Sequence, residues 1–197
     1  FFSFNRIPAS LSCMLLYLFP TLVTVFAILL KQETYTRQKG TALVIATLGL
    51  FLLLQTSFSG ANIPGIMFGI GSALFYTAYV LLGSRIMKDI NPLTANIYIM
   101  LGAAITYTLA GLFSGQLILN FAPITWIMLF CIILIPTALG SVCFWSGVKM
   151  IGPAKASIIC TVEPPVTVVL SALFFQEYLT LLQLLGGVMI IAAVFVL

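Results

Sequence analysis

Apolar stretches long enough to cross a lipid bilayer follow one another along the chain. The hydrocarbon core of a membrane is about 30 Å thick, and a helix of about 20 residues crosses it. Seven such segments can be placed, separated by short loops: 8–30, 41–56, 64–83, 93–113, 124–146, 153–175 and 181–197. The sequence therefore predicts an all-α integral membrane protein whose main partner is the lipid bilayer.

The composition excludes several other classes of protein. Of the 197 residues, 62% are hydrophobic and 6% are charged, whereas soluble domains are about 45–50% apolar and about 25% charged. A net charge of +4 is too small for a nucleic-acid-binding surface. The sequence has no histidine, which excludes histidine metal sites and Ser-His-Asp or Cys-His catalysis. It also lacks a G-x-x-x-x-G-K-[ST] phosphate loop. We expect no metal, no cofactor and no nucleic-acid partner.

The positive charges predict an orientation in the membrane. Loops on one side carry seven of the eight Lys and Arg residues, and only Arg6 lies on the other side. The seven are Lys31, Arg37, Lys39, Arg85, Lys88, Lys149 and Lys155. Because positive loops face the cytoplasm, we expect a cytoplasmic C-terminus.

The sequence around the first segment recurs around the sixth. Residues at an offset of 145 match, and the offset becomes 144 after the first of the two helices. The matched pairs are Pro8-Ala9 with Pro153-Ala154, Ser12 with Ser157, Pro20 with Pro165, Gln32-Glu33 with Gln176-Glu177, and Thr36 with Thr180. The copies are five segments apart, an odd number, so they must cross the membrane in opposite directions. Inverted repeats of this kind are typical of secondary transporters.

The repeat also predicts the domain organisation. The counterpart of a unit that begins near Pro64 would begin roughly 80 residues before Phe1, which leaves room for three more helices. We therefore expect residues 1–56 to be the last two helices of a first repeat. Residues 64–197 would form a complete second repeat of five helices, in a protein of ten.

Two groups of motifs resemble a known family. They are Ile7-Pro-Ala-Ser-Leu, Tyr17-Leu-Phe-Pro20 and Gln32-Glu33, and then Gly152-Pro-Ala-Lys-Ala-Ser, Glu163-Pro-Pro-Val166 and Gln176-Glu177. Their order, spacing and duplication resemble the EamA-type members of the drug/metabolite transporter superfamily. Pro164 departs from this pattern, since a single proline is commoner there. The resemblance implies a central cavity between the repeats. It also implies transport of small metabolites or drugs across the plasma membrane by alternating access.

Glu163 is the strongest candidate for a functional side chain, because it lies near the middle of the sixth segment. A carboxylate at this depth costs a few kcal/mol, so such residues usually face a cavity or a partner. It would exchange a proton with the gradient, bind a cationic substrate, or hydrogen-bond a neighbouring helix. Cys160 and Thr167 share its face, yet the repeat places only leucines at the three equivalent positions, Leu18, Leu15 and Leu22. The scaffold therefore does not require polarity at this place.

Other polar residues at helical spacing are candidates for lining the same cavity. Tyr17 and Thr21 lie closest to mid-membrane in the first segment, although such residues also hydrogen-bond neighbouring helices. The resemblance places the third and fifth segments around the cavity. Their candidates are Tyr76, Tyr79, Ser141 and Trp145, of which Tyr79 and Trp145 also suit interfacial anchors.

Prolines within the segments predict helix kinks. Each removes a backbone N–H and leaves the carbonyl four residues earlier without its helical donor. The four are Pro20, Pro136, Pro164 and Pro165, and the affected carbonyls are those of Leu16, Ile132, Cys160 and Thr161. Glu33 and Glu177, at the ends of two segments, are interpreted as structural turn residues.

These observations favour a secondary transporter for a small molecule over an enzyme. Two alternatives remain open, a passive facilitator and an intramembrane enzyme that takes an acid–base partner from the preceding helices. A retinal receptor is disfavoured, because segment 181–197 has no lysine. The substrate, the direction of transport, the coupling ion and the oligomeric state are not specified by the sequence.

Overall fold

The computed structural model describes residues 3, 6–55, 62–115, 122–176 and 178–197. These residues form ten α-helices and one π-helical stretch, Ile133–Leu139, with no β-strand among them. The helices are α1 (Ala9–Leu16), α2 (Phe19–Leu29), α3 (Arg37–Leu54), α4 (Ile63–Ile86), α5 (Pro92–Ser114), α6 (Pro123–Ile132), α7 (Gly140–Ile151), α8 (Pro153–Cys160), α9 (Glu163–Phe175) and α10 (Leu181–Val196).

The helices confirm the prediction of an all-α membrane protein. Within the described ranges, six stretches are long and apolar enough to span a bilayer. They are Ala9–Leu29, Arg37–Leu54, Ile63–Ile86, Pro92–Ser114, Pro123–Ile151 and Pro153–Phe174, and Leu181–Val196 is a shorter apolar helix. These seven correspond to the seven predicted segments. The second begins at Arg37 instead of residue 41, because the Thr36 hydroxyl accepts a hydrogen bond from the Lys39 N–H at 3.3 Å and caps the helix. Its predicted last residue, Thr56, lies outside the described residues.

Three of the spans are interrupted next to their prolines. Tyr17 and Leu18 separate α1 from α2, two residues before Pro20. Thr161 and Val162 separate α8 from α9 just before the Pro164-Pro165 pair. In the fifth span, the π-helical stretch contains Pro136.

The chain divides into two compact units, one of Phe1–Gly83 with Ile151–Leu197 and the other of Ser84–Met150. In the first unit, α3 packs along α10. Small residues form this contact: Ala42, Ala46 and Ala193 are almost fully buried with Ile158, while Gly49 lies against Gly186. Small residues allow two membrane helices to approach closely. Helix α8 packs on both α2 and α3.

The second unit contains α5, α6, the π-helical stretch and α7. The Asn96 side-chain amide donates to the Ala138 carbonyl at 3.3 Å and joins α5 to the π-helical stretch. Near the end of α7, Lys149 Nζ donates to the Ile90 carbonyl at 3.0 Å. Trp145 is fully buried within α7.

Candidate functional site

Glu163 begins α9 directly after the break that separates it from α8. Thr161 and Val162, the two residues between the helices, donate backbone hydrogen bonds to carbonyls in the last turn of α8. Glu163 itself is exposed on the protein surface. Its carboxyl group lies within hydrogen-bonding reach of the side chain of Tyr17, which occupies the corresponding break between α1 and α2. The two helix breaks of the first unit therefore meet at this pair of residues.

Two cysteines and a second tyrosine lie close to the same carboxyl group. Cys13 and Cys160 both interact electrostatically with Glu163 and with Tyr17. Tyr76, on α4, interacts with Glu163 and with Cys160. Three helical spans thus contribute side chains to one cluster, which we call the Glu163 cluster: Cys13, Tyr17, Tyr76, Cys160 and Glu163.

Aromatic rings extend the Glu163 cluster along α4. Phe19 packs edge-on against Tyr76, with ring centroids 4.7 Å apart, and lies 6.2 Å from the ring of Tyr17. Tyr79 lies one turn beyond Tyr76, at a centroid distance of 5.8 Å. Tyr17 and Tyr76 are half-buried and Tyr79 is exposed. The rings form an accessible aromatic surface beside the carboxyl group.

Five of the predicted cavity residues therefore come together in the first unit: Glu163, Cys160, Tyr17, Tyr76 and Tyr79. Two others belong to the same helices. Thr167 is exposed one turn after Glu163, and its hydroxyl donates to the Glu163 carbonyl at 3.0 Å. Thr21 is half-buried one turn after Tyr17 on α2.

The remaining two predicted residues, Ser141 and Trp145, belong to the second unit. The Ser141 hydroxyl donates to the Thr137 carbonyl at 2.5 Å, within its own helical span. Trp145 is fully buried and packs against Phe144 at a centroid distance of 5.3 Å. An aromatic belt residue projects toward the membrane interface, and full burial is not typical of one.

The prolines have distinct local environments. Pro20, Pro164 and Pro165 are buried in the first turns of α2 and α9, where a missing N–H costs no helical hydrogen bond. Pro136 lies inside the π-helical stretch, and the Thr137 hydroxyl donates to the Ile132 carbonyl at 2.9 Å. This carbonyl is the one whose α-helical donor is missing because of Pro136.

Charge distinguishes the Glu163 cluster from the rest of the described structure. The one ion pair found among the described residues joins Lys39 to Glu33, so Glu163 has no cationic partner there. The described residues also contain no group of three or more metal-ligating side chains. The cluster offers a carboxyl group, two thiols and hydroxyl groups beside aromatic rings. Such groups suit reversible proton exchange or the binding of a small organic molecule.

Two residues of the first unit have contacts that their sequence context does not indicate. Phe19 was hidden among other apolar residues of the first segment. Glu33 was interpreted as a structural turn residue, and its carboxylate also accepts a hydrogen bond from the Ala154 N–H, 121 residues away. A partner so distant in the chain gives no local sequence signal.

Comparison with known families decides the class of this protein. Residues 63–197 match the model of the EamA-like transporter family. The chain belongs to the EamA-like transporter family. The resemblance seen in the sequence motifs is therefore confirmed, and the chain is a multi-pass membrane protein of a transporter family.

Similar proteins have also been described as transporters. An uncharacterized transporter of Archaeoglobus fulgidus is 30% identical over 191 residues, which cover 95% of this chain and 66% of that protein. The uncharacterized transporter YcbK of Bacillus subtilis is 27% identical, with 94% of this chain and 62% of the relative covered. The chain thus spans slightly less than two thirds of the length of these EamA-like relatives.

A solved crystal structure has the same fold. It superposes with a TM-score of 0.83 at 14% sequence identity, and the match covers 98% of this chain and 68% of the other. At this level of identity the match establishes the fold of this EamA-like chain and not its substrate.

Proposed function

We propose that the protein is a secondary active transporter that moves small organic metabolites or drugs across the plasma membrane by alternating access. Protonation and deprotonation of Glu163 would couple transport to the proton gradient. The carboxyl group of Glu163 carries this proposal, because it lies midway along a membrane-spanning stretch beside accessible tyrosines. It has no cationic partner among the described residues.

Alternating access requires two structurally equivalent halves that can exchange conformations. The first unit contains pairs of equivalent features, which supports the presence of two such halves. Thr36 caps α3 by accepting from the Lys39 N–H at 3.3 Å, and Thr180 caps α10 by accepting from the Gln183 N–H at 3.2 Å. The offset is 144 residues in both cases. Lys31 and Gln176 both have a φ of 55° at the end of a helix, and they lie within one residue of equivalent positions in the repeat.

The broken helices form a further pair. Helices α1 and α8 are each eight residues long, and each is followed by a two-residue break and a second helix. Discontinuous helices near mid-membrane are a common device in transporters, where backbone irregularity is tolerated beside a cavity. We infer that residues 1–56 belong to a first inverted repeat and residues 64–197 to a second. The seven positive charges on one side would place the C-terminus in the cytoplasm.

A carboxyl group that exchanges protons within a membrane must be accessible to both water and substrate. Glu163 is exposed and lies beside the side chain of Tyr17. A carboxyl group used only for helix packing would instead be buried against a neighbouring helix. The exposure of Glu163 supports the transport role over a purely structural one.

The substrate is best found with the full-length protein. Cells that overproduce it would be compared with cells that overproduce its Glu163→Gln variant, using untargeted mass spectrometry of the medium and of the cell contents. The Asp89→Asn variant is a matched control, because Asp89 is an exposed acid between α4 and α5. We expect one or more compounds to change concentration with the parent and with Asp89→Asn, and not with Glu163→Gln.

Purified protein in proteoliposomes then tests the mechanism. With the identified compound, an imposed proton gradient should drive accumulation by the parent and by Asp89→Asn. It should not drive accumulation by Glu163→Gln. Accumulation by Glu163→Gln at the parental rate would contradict the coupling role. Equilibration without any response to the gradient would identify a passive facilitator. Chemical conversion of the compound would identify an enzyme.

A further inference from the structure

Glu33 connects the turn after α2 to the beginning of α8. Its Oε2 atom accepts a hydrogen bond from Lys39 Nζ at 2.7 Å, and its Oε1 atom accepts one from the Ala154 N–H at 2.9 Å. Lys39 Nζ also donates to the Thr34 carbonyl at 2.9 Å. The Lys39 and Glu33 side chains are only 9% and 11% exposed. The carboxylate is therefore engaged on both oxygens and largely removed from water.

The backbone beside this carboxylate is shaped for its close approach. Gly152 is the single residue between the end of α7 and the beginning of α8, and it has a φ of +88°. A Cβ atom at this position would collide with Glu33 Oε1. Both the backbone conformation and the space therefore favour glycine. Glu33, Lys39, Gly152 and Ala154 form what we call the Glu33 latch.

Helix α8 joins the Glu33 latch to the Glu163 cluster. Eight residues span about 12 Å at the α-helical rise. The helix begins next to Ala154, which the latch holds. It ends at Cys160, a member of the cluster, and the chain then breaks at Thr161 and Val162. A short helix with one end fixed and the other at a break can tilt as a rigid body. Release of its first turn would therefore move Cys160 and the break before Glu163.

A cavity of about 600 Å³ lies against the latch. Its walls are Ile28, Lys31, Gln32, Glu33, Thr34, Tyr35, Lys39, Ile151 and Gly152. Most of these residues are polar, so water can enter and solvate the carboxylate and the ammonium group if they separate. Separation into water avoids most of the cost that an isolated charge would incur in an apolar interior. The Glu33 latch is thus held closed by specific hydrogen bonds, and water can reach its charged groups when they separate.

We propose that the Glu33 latch is a gate on the membrane face that carries the α2–α3 turn. While Glu33 holds Ala154, α8 is seated against α2 and α3, and the Glu163 cluster is closed to this face. When the latch opens, α8 tilts and the cluster becomes accessible from this face. The inference rests on the proposed transport by alternating access, and it adds the device that governs opening on one side.

Thiol labelling tests the gate without requiring transport. In the full-length protein, every cysteine except Cys160 would be replaced by serine or alanine, and the protein reconstituted in proteoliposomes. A membrane-impermeant maleimide would be applied from each side in turn. A separate Thr34→Cys variant identifies which side carries the α2–α3 turn, because Thr34 is exposed in that turn.

Two variants open the latch by different routes. Glu33→Ala removes the carboxylate, and Gly152→Ala displaces it with a methyl group. Arg37→Gln is the matched control, since Arg37 is an exposed charge at the start of α3. We expect Cys160 to be labelled about tenfold faster from the side of the α2–α3 turn in both variants. A tenfold change matches the loss of one charge-assisted hydrogen bond. Arg37→Gln should label at the parental rate.

Other outcomes overturn the proposal. Labelling of Glu33→Ala at the parental rate would show that the latch does not control access. Equal acceleration from both sides with a lower melting temperature would show that Glu33 only stabilises the fold. If Glu33→Ala does not fold, the same criteria apply to Gly152→Ala. If the latch variants label as expected but the parent transports nothing, the proposed function fails while the gate stands.

Discussion

Gly49 and Gly186 meet where α3 passes α10, and neither position has room for a side chain. A Cβ atom on Gly49 would lie 2.7 Å from the Gly186 carbonyl oxygen, and one on Gly186 would lie 2.5 Å from the Gly49 carbonyl oxygen. Neither backbone can move away alone, because Ala42, Ala46 and Ala193 pack the same pair of helices a few turns away. The two helices are therefore held together by backbone contact.

This contact predicts that Gly49→Ala and Gly186→Ala each destabilise the protein. Overpacking of a well-packed contact costs about 1–3 kcal/mol, and we expect a lower melting temperature in detergent for both variants. Gly71→Ala is the control, since a Cβ there meets nothing within 4 Å. In that half-buried helical position, where a methyl group has open space, alanine should be neutral or stabilising by up to about 1 kcal/mol. A melting temperature for Gly49→Ala equal to that of Gly71→Ala would contradict the packing argument.

The proximity of the Tyr17 hydroxyl to the Glu163 carboxyl group predicts an effect on transport. Tyr17→Phe removes the hydroxyl and keeps the ring that packs near Phe19. Side-chain hydrogen bonds within membranes contribute about 0.6–2 kcal/mol, so we expect a loss of transport rate of about threefold to thirtyfold at equal protein amounts. The measurement is uptake of the identified substrate into proteoliposomes.

Tyr107→Phe provides the comparison for this prediction. Tyr107 is 78% exposed on α5, and the same hydroxyl is lost there. We expect the Tyr107→Phe variant to transport at the parental rate. An equal loss in both variants would mean that the Tyr17 hydroxyl has no special role at the Glu163 cluster.

Sequence patterns were sufficient for much of this fold because hydrophobic length is a strong local signal. The seven segments were correct to within a few residues at most of their described ends, and prolines indicated the three spans that are interrupted. Capping extended the second helix back to Arg37, a local effect that the apolar pattern does not record. Trp145 looked equally suited to an interfacial anchor or a cavity, and only tertiary structure revealed its full burial.

Contacts between residues that are far apart in the chain were harder to predict from the sequence. Helical spacing placed Glu163 on one face with Cys160, but it does not specify that Tyr17 meets this face. The hydrogen bond that the Ala154 N–H donates to Glu33 likewise joins residues that no local sequence pattern connects. The repeat aligned Glu33 with Glu177 and so indicated a shared structural position. Glu177 lies outside the described residues, and its role stays a prediction.

A compensating hydroxyl beside Pro136 leads to a prediction for the fifth span. The Thr137 hydroxyl donates to the Ile132 carbonyl, whose α-helical donor at position 136 is missing because of the proline. Thr137→Val keeps the shape of the side chain and removes the donor. We expect a loss of about 1 kcal/mol in the free energy of unfolding, as for a typical intramolecular hydrogen bond.

Thr106→Val is the matched control, because the Thr106 hydroxyl donates at 2.8 Å to the Gly102 carbonyl within an uninterrupted α-helix. That carbonyl keeps its backbone donor when the hydroxyl is lost, so the variant should unfold close to the parental temperature. Both variants would be compared by thermal unfolding in the same detergent. A larger loss for Thr106→Val would contradict the compensating role of Thr137.

The ion pair between Lys39 and Glu33 predicts strong coupling between two substitutions. Lys39→Met leaves the largely buried Glu33 carboxylate with only the Ala154 N–H as a described partner. Breaking a buried pair by removing one partner costs about 3–5 kcal/mol. Because 9–11% of each side chain is exposed and an open cavity adjoins the pair, we expect the lower end of this range.

A double-mutant cycle separates the cost of breaking the ion pair from a general destabilisation of the surrounding structure. In the Lys39→Met/Glu33→Gln double variant no charge is left unpaired, and the glutamine oxygen can still accept from the Ala154 N–H. We expect the double variant to be more stable than Lys39→Met alone, with an interaction free energy of about 1–3 kcal/mol between the two positions. Chemical or thermal unfolding of the full-length protein in one detergent would provide all four values. Simple additivity of the two single substitutions would mean that the ion pair does not hold the α2–α3 turn, and the Glu33 carboxylate would then act through Ala154 alone.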